Sequence, residues 1–509
     1  MSRLPARGWT RALRWGVQLV LAVAGLILGA SAAFAYWTAS AGGVAAGALA
    51  DTLPAGGTPA VSVLGASTTP TVSFAASTTS ASSGGQQITT YQVRRYTNPA
   101  AAAGTGTLVT CGSSSIAGGT VTCTDPGLAD GSYYYTSTPR VANWTGTESV
   151  KSPAGVVDTL PPAVSAGRTA PNANGWNAGD VVVNLSATDT GTGVASITYS
   201  LDGGAAVTTP GATASLAITA EGAHSVSYSA ADNRGNTSTT LSLTGIKIDK
   251  TAPTGMTGSG TETCTGGTSG SFCGGGITLG LAAGSDAGSG LASVTYAIDG
   301  GSALSISTSA TSLLIPSTVA DGTHTVAFVT TDLAGNATTR TYTTSKSTDN
   351  TRPTATITLS ATSPNKQLDI NDRLVVTFTE AGSGIDITKF CPNWTGGTVT
   401  GSVNVSSASS SLLTVAGNSA ASGCAANAFT LGTVNLGAAY IKNQAQTVNA
   451  TFAWSAATKT LTVTVTSNPS NGQQQTVPSS TPGWTTTPSG LDDLVGNLIG
   501  TVTGVSGAV

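Results

Sequence analysis

The sequence predicts an all-β chain in which several β-sandwich domains follow one another. Three observations lead there: a turn-rich, weakly charged composition, a motif block that recurs with a period near 100 residues, and short alternating strands set between turn signals. Charged residues make up 8% of the 509, against about 25% in an average globular protein. Gly, Ser, Thr, Ala and Val take their place. Thr and Val are branched at the β-carbon and suit a pleated sheet, while the 65 glycines supply the positive φ angles of tight turns. A chain of this length exceeds one compact core and calls for three to five domains of roughly 100–200 residues. The formal net charge of −3 provides no basic field for a phosphate backbone, which argues against a nucleic-acid partner.

The N-terminus carries Arg3, Arg7, Arg11 and Arg14, then an apolar run from Trp15 to Phe34 that ends in Ala33-Phe34-Ala35. Residues 1–35 therefore read as a signal peptide cleaved before Tyr36, or as an N-terminal anchor if residues 15–35 stay in the membrane. Either way the body of the chain is expected outside the cell, secreted or tethered to the outer face of the cytoplasmic membrane. Residues 36–56 are Ala/Gly-rich and read as a flexible linker. The six cysteines agree with export: Cys111 and Cys123, Cys264 and Cys273, and Cys391 and Cys424 form neighbouring pairs. No Cys-x-x-Cys spacing and no adjacent His points to a metal instead, so three disulfides between neighbours are the simplest of the fifteen connectivities.

The period is carried by two blocks. Asp189-Thr-Gly-Thr-Gly193 leads into a Tyr199-bearing strand and Asp202-Gly-Gly, and Asp286-Ala-Gly-Ser-Gly290 leads into a Tyr296-bearing strand and Asp299-Gly-Gly. The second block aligns Glu221-Gly-Ala-His224 through Asp232-Asn-Arg-Gly235-Asn236 with Asp321-Gly-Thr-His324 through Asp332-Leu-Ala-Gly335-Asn336. An Asp-x-x-x-Pro linker recurs at Asp158, Asp249 and Asp349. A repeat this long is a whole domain, not a solenoid unit. Within it, Ile197, Tyr199 and Leu201 fall on one face of a strand, as do Val294, Tyr296 and Ile298. Asp-Gly-Gly signals a hairpin, and Asp-x-x-Gly-Asn a turn with left-handed backbone.

With D-x-G-S/T-G, D-G-G, G-x-H-x-V and D-x-x-G-N, residues 158–249 and 250–350 resemble the bacterial Ig-like domains that occur in tandem on surface and secreted proteins. Residues 57–157, through Tyr91-Gln-Val-Arg-Arg-Tyr96, Asp130-Gly-Ser-Tyr-Tyr-Tyr135 and Asn143-Trp-Thr-Gly146, resemble fibronectin type III modules of actinobacterial exported proteins. Residues 351–467 read as a divergent Ig-like domain, and 468–509 as a low-complexity C-terminal tail. Near-helical spacing of Leu491, Leu494, Leu498 and Val502 competes there with Gly496, Gly500 and Gly504. The resemblance implies a tandem array of immunoglobulin-like and fibronectin type III-like sandwiches with binding or spacing roles and no stated ligand.

No constellation for catalysis stands out. The two histidines, His224 and His324, occupy the same repeat position, which fits a structural place better than a catalytic base. Glu380 and Asp386 could form a glycosidase-like carboxylate pair, but Glu380-Ala-Gly-Ser-Gly384 matches the repeated Asp-x-Gly-Ser/Thr-Gly turn and is read as that turn. Calcium is the candidate cofactor: Asp189, Asp232 and Asp249, then Asp286, Asp332 and Asp349, offer hard oxygen ligands at turns and joints. The simpler reading of those residues is turn chemistry, each Asp bonding its own backbone. Trp144, Trp176, Trp394 and Trp484 lie near loops and are read as packing residues. The expected role is a non-enzymatic spacer, adhesin or matrix component with an unidentified cell-surface, matrix or glycan ligand. The alternative is a carbohydrate- or polymer-binding accessory protein of an extracellular hydrolase system, which would show a planar aromatic cluster.

Overall fold

The computed structural model describes residues 53–509 apart from 80–84, 113, 361, 363–364, 393, 408–410, 416–431, 471–472, 478–480, 487–490, 501 and 506–509. The 1–35 segment, most of the 36–56 linker and Cys424 lie outside the described residues. Strands joined by turns make up the secondary structure described, with one 3-10 turn at Ile387–Lys389 and no α-helix among the described residues. No helix there is long and apolar enough to cross a membrane. The residues form two compact units, one ending at Ile248 and one starting at Asp249, and each holds two hydrophobic cores.

In the first unit, the first core packs Val72, Phe74, Val93, Val121, Tyr135 and Val157. One sheet over it contains Ala60–Ser62, Thr71–Ala75, Thr120–Thr124 and Ser114–Ala117, and the other is built on Thr90–Tyr96 and Gly131–Val141. Cys111 is bonded to Cys123. The Tyr133 hydroxyl donates to the Ala129 carbonyl at 2.8 Å, tying the start of its strand to the turn before it, the corner found in many sandwiches. Below it, Asp125 accepts from Arg95 Nη1 at 3.0 Å and from the Tyr135 hydroxyl at 2.9 Å.

The second core shows the period-two rule most plainly, since Val181–Thr188 alternates buried and exposed along its whole length. That strand is flanked by Ala163–Arg168 and Thr213–Ile218. The facing sheet orders Val207–Pro210, Val194–Leu201, Gly222–Asp232 and Leu241–Ile248. Ile197 is fully buried, with Tyr199 and Leu201 packed against the same core.

In the second unit the third core repeats this plan. Thr257–Cys264, Ile277–Ala282 and Ser312–Ile315 face a sheet centred on Leu291–Ile298, Gly322–Asp332 and Ala337–Thr348, and Cys264 is bonded to Cys273. The fourth core departs from it. One nine-stranded sheet runs through Gly483–Thr486, Thr433–Asn435, Leu412–Val415, Gly397–Val405, Gln446–Ser455, Thr460–Val465, Arg373–Thr379, Thr354–Ser360 and Val502–Val505. Burying Phe328 in the third core and Phe452 in the fourth, both 0% exposed, contributes about 2–3 kcal/mol each. Cys391 is buried here and disulfide-bonded.

Two of these strands come from residues 468–509, the stretch expected to be a low-complexity tail. Val502–Val505 pairs in parallel with Ala355–Thr358, and Leu491 and Val495 are buried. Leu494 and Leu498 are exposed, so the near-helical apolar spacing corresponds to no helix. Its apolar residues are too few and too diluted by Gly, Ser and Thr to announce strands on their own, and the sheet supplies their burial.

Candidate metal centres

Three carboxylate clusters stand at equivalent places, each with one ligand atom per residue within 4.8 Å of the others: Asp158, Asp189 and Asp232; Asp249, Asp286 and Asp332; and Asp349, Glu380 and Asp493. In each, a linker Asp meets the first carboxylate of the Asp/Glu-x-Gly-Ser/Thr-Gly turn and the Asp of an Asp-x-x-Gly-Asn turn. The linker Asp thus belongs to the turns that follow it, so the groupings of Asp249 with Asp189 and Asp232, and of Asp349 with Asp286 and Asp332, are corrected. Asp158, Glu380 and Asp493 are the cluster residues absent from the calcium candidates read in the sequence, where Asp158 was a linker residue and Glu380 a turn residue. For Asp493 the signal was present, since Asp493-Leu-Val-Gly496-Asn497 repeats the Asp232 and Asp332 motif.

The local hydrogen bonds explain why these sequences fold this way. Asp158 Oδ2 accepts from the Thr192 N–H and hydroxyl, both at 2.7 Å. Asp249 Oδ2 accepts from the Ser289 N–H at 2.6 Å and Asp349 Oδ2 from the Ser383 N–H at 2.7 Å. Asn236, Asn336 and Asn497 each donate Nδ2 both to the turn Asp and to the main-chain oxygen of the linker Asp. The middle glycine of the first turn gives the linker Asp its seat: a β-carbon on Gly191, Gly288 or Gly382 would overlap the carboxylate of Asp158, Asp249 or Asp349 respectively. Gly191→Ala is therefore expected to lower the stability of the first unit by about 1–3 kcal/mol in thermal unfolding. Gly167→Ala, where the added methyl meets open space, should be near neutral, and equal effects of the two would refute the seat.

The clusters differ in how well a cation fits. In the first, burial opposes ionisation of Asp158, yet the Thr192 hydrogen bonds outweigh it and hold the carboxyl below its ordinary value. In the third, all three carboxylates are buried, at 1%, 5% and 1% exposure. Burial pushes the Glu380 carboxyl up, and the charges of Asp349 and Asp493 push it further. Glu380 Oε1 accepts from the Gly382 N–H at 2.6 Å, but Oε2 is buried without a hydrogen-bond partner, as is the Ser383 hydroxyl of the same turn sequence. An orphaned carboxylate oxygen within a buried acidic cluster fits a hard, oxygen-seeking cation such as Ca²⁺. In the first two clusters the linker Asp and the Asp-x-x-Gly-Asn aspartate have donors on both oxygens, apart from one oxygen each of Asp189 and Asp286.

The remaining sequence candidates separate from these centres. Asp386 caps the 3-10 turn by accepting from the Thr388 N–H, so it is engaged in a turn while Glu380 is engaged in the third cluster. His224 and His324 each bring Nδ1 within 2.7 Å of Asp202 and Asp299, clasping the hairpin turns where those aspartates hold φ of 51° and 48°. Hydrogen bonding to His224 is the main cause holding Asp202 below the ordinary carboxylate value. For Asp299, burial works the other way and the His324 and Thr325 bonds outweigh it. A carboxylate lowered on folding adds stability that is full above its unfolded value near 3.9 and lost as pH falls through the folded one. Stability is therefore expected to drop below about pH 4. Asp299→Asn should flatten that acid limb for the second unit in urea titrations at several pH values; an unchanged limb would refute the clasp. Trp176 lies under the Lys247 ammonium at 5.4 Å, Trp394 is 4% exposed, and Trp454 packs with Phe378.

No known protein family matches the chain, and no curated protein does. Among solved structures it is similar to a Ca²⁺-stabilised adhesin with which an Antarctic bacterium binds ice, at 19% identity over 81% of this chain and 99% of that one, with a TM-score of 0.33. It is similar to a tetra-tandem repeat from the extending region of a large adhesion protein, at 16% identity over 90% and 99%, with a TM-score of 0.25. A third likeness is to the D1–D4 ectodomain fragment of ICAM-5, at 11% identity over 82% and 96%, with a TM-score of 0.30. At these scores none of the three fixes a residue's role.

Proposed function

We propose that the chain is a non-enzymatic spacer or adhesin of the cell exterior, built of tandem β-modules with joints at Asp158, Asp249 and Asp349, and that its third joint holds Ca²⁺. The observation that carries this reading is the threefold recurrence of a linker Asp seated against two turn carboxylates. A joint built the same way three times serves the spacing of modules, whereas a catalytic site is needed once. The Cys111–Cys123 and Cys264–Cys273 disulfides support an oxidising exterior. Against the glycan-binding alternative, no aromatic residue appears among the exposed large hydrophobic side chains described, so no stacking platform favours it.

At the third joint Asp349, Glu380 and Asp493 would hold the ion, which supplies the positive charge that three buried carboxylates lack. Saturating Ca²⁺, at about 100 times its Kd, is expected to stabilise the second unit by about 2.7 kcal/mol. That corresponds to a rise of roughly 5–10 °C for a unit of this size, read by calorimetry in CaCl₂ against EDTA. Glu380→Gln should remove most of the increment. A melting curve indifferent to calcium would overturn the cation reading.

A further inference from the structure

Resting on that cation reading, we propose that residues 491–500 and 502–505 are a strap that closes on the fourth core only when a divalent cation joins Asp493 to Asp349 and Glu380. The comparison with the first two clusters carries the inference. Asp232 and Asp332 end the strands Gly222–Asp232 and Gly322–Asp332, each paired along both edges, so the sheet itself delivers the third carboxylate. Asp493 has no such strand behind it. Its stretch is held by a bridge between Ile385 and Asp493, by single bonds such as Leu494 N–H to Gly384 O and Gly500 N–H to Pro353 O at 2.8 Å each, by the Asn497 bond to the Asp349 carbonyl, by the burial of Leu491 and Val495, and by the short parallel pairing at Val502–Val505.

Docking this stretch places Asp493 beside two other buried carboxylates, and like charges drawn together out of water repel strongly. The charge of Lys459 offsets them only in part, since burial, Asp349 and Asp493 still leave the Glu380 carboxyl raised. Lys459 Nζ donates to the main-chain oxygen of Glu380, and Lys389 pairs with the neighbouring Asp492 at 3.6 Å. What the arrangement leaves open is Glu380 Oε2, buried and without a hydrogen-bond partner, an oxygen of the cluster's own side chains free for an ion. With the ion bound, the repulsion becomes shared attraction and the strap is pinned. Without it, the strap's few bonds and its two buried side chains, Leu491 and Val495, stand alone against the repulsion, and Thr354–Ser360 loses the parallel partner on its outer edge.

Hydrogen exchange with mass spectrometry on the full chain tests this, in CaCl₂ and in EDTA. Amides of 491–500 and 502–505, Val495, Asn497 and Gly500 among them, should exchange at least about tenfold faster in EDTA, while those of Gly397–Val405 stay unchanged. Titration calorimetry with CaCl₂ should show Glu380→Gln binding one ion fewer than wild type. Since the wild-type comparison needs no variant, a Glu380→Gln chain that fails to fold leaves the test intact. Calcium bound with no change in the protection of 491–500 and 502–505 overturns the strap and keeps the site. No calcium bound at all overturns both.

Discussion

Replacing Asp125 by alanine is expected to cost the first core about 3–5 kcal/mol, the largest effect of any single polar substitution proposed for this protein. Asp125 is 5% exposed. Its two oxygens accept from Arg95 Nη1 at 3.1 and 3.0 Å, and Oδ2 also accepts from the Tyr135 hydroxyl at 2.9 Å. Burial, then the Asp125 charge, raises the Tyr135 phenol far above its ordinary value, so this tyrosine stays a donor at every working pH. Removing the carboxylate strands a guanidinium and a buried hydroxyl at once, whereas Tyr135→Phe removes one donor and should cost only about 1 kcal/mol. The cost sits toward the lower end of the range because Arg95 keeps a quarter of its side-chain surface exposed and can turn to water. Calorimetry of the full chain decides it. An Asp125→Ala loss no greater than that of Tyr135→Phe would mean that Arg95 contributes nothing through this pair.

Opening the disulfides should come next in size. Cys111–Cys123 and Cys264–Cys273 close spans of 12 and 9 residues, and loops of that size are worth roughly 2–3 kcal/mol each through the entropy of the unfolded chain. For units of this size this is a fall in melting temperature of roughly 5–10 °C. Cys123 and Cys273 are 1% and 0% exposed, so paired alanine variants separate loss of the crosslink from attack by a reductant. Unmoved melting curves in a sample shown by thiol labelling to be fully reduced would sink the expectation.

The fold class was legible because its carriers are local. Alternation in Val181–Thr188 and the Asp-Gly-Gly turns needs only a few neighbouring residues to be read, and the repeat doubled each signal. The clusters were half legible. Asp189, Asp286, Asp232 and Asp332 announced themselves through turn motifs, but the linker aspartates were grouped with the wrong turns. Sequence proximity favours the strand just ended. The carboxylate instead drops onto a glycine of the next turn, a contact that depends on the missing β-carbon of Gly191 or Gly288. Glu380 was recognised as a turn residue, but its company with Asp493 joins residues more than a hundred positions apart. The Asp-x-x-Gly-Asn motif at Asp493 was its one short-range sign, displaced from its usual place in the repeat.

The parallel pairing of Ala355 with Val502 also sets a schedule. Hairpins in this sheet can zip as soon as their two strands exist, but the outer edge at Thr354–Ser360 must wait for nearly 150 further residues to be made and delivered. Contacts that span so much chain form slowly, because a long loop has to be closed before they stabilise anything. In the interval that edge is an open row of N–H and C=O groups, a template on which a strand of another molecule could settle. A chain made from its N-terminus carries that vulnerability until Val502–Val505 arrives.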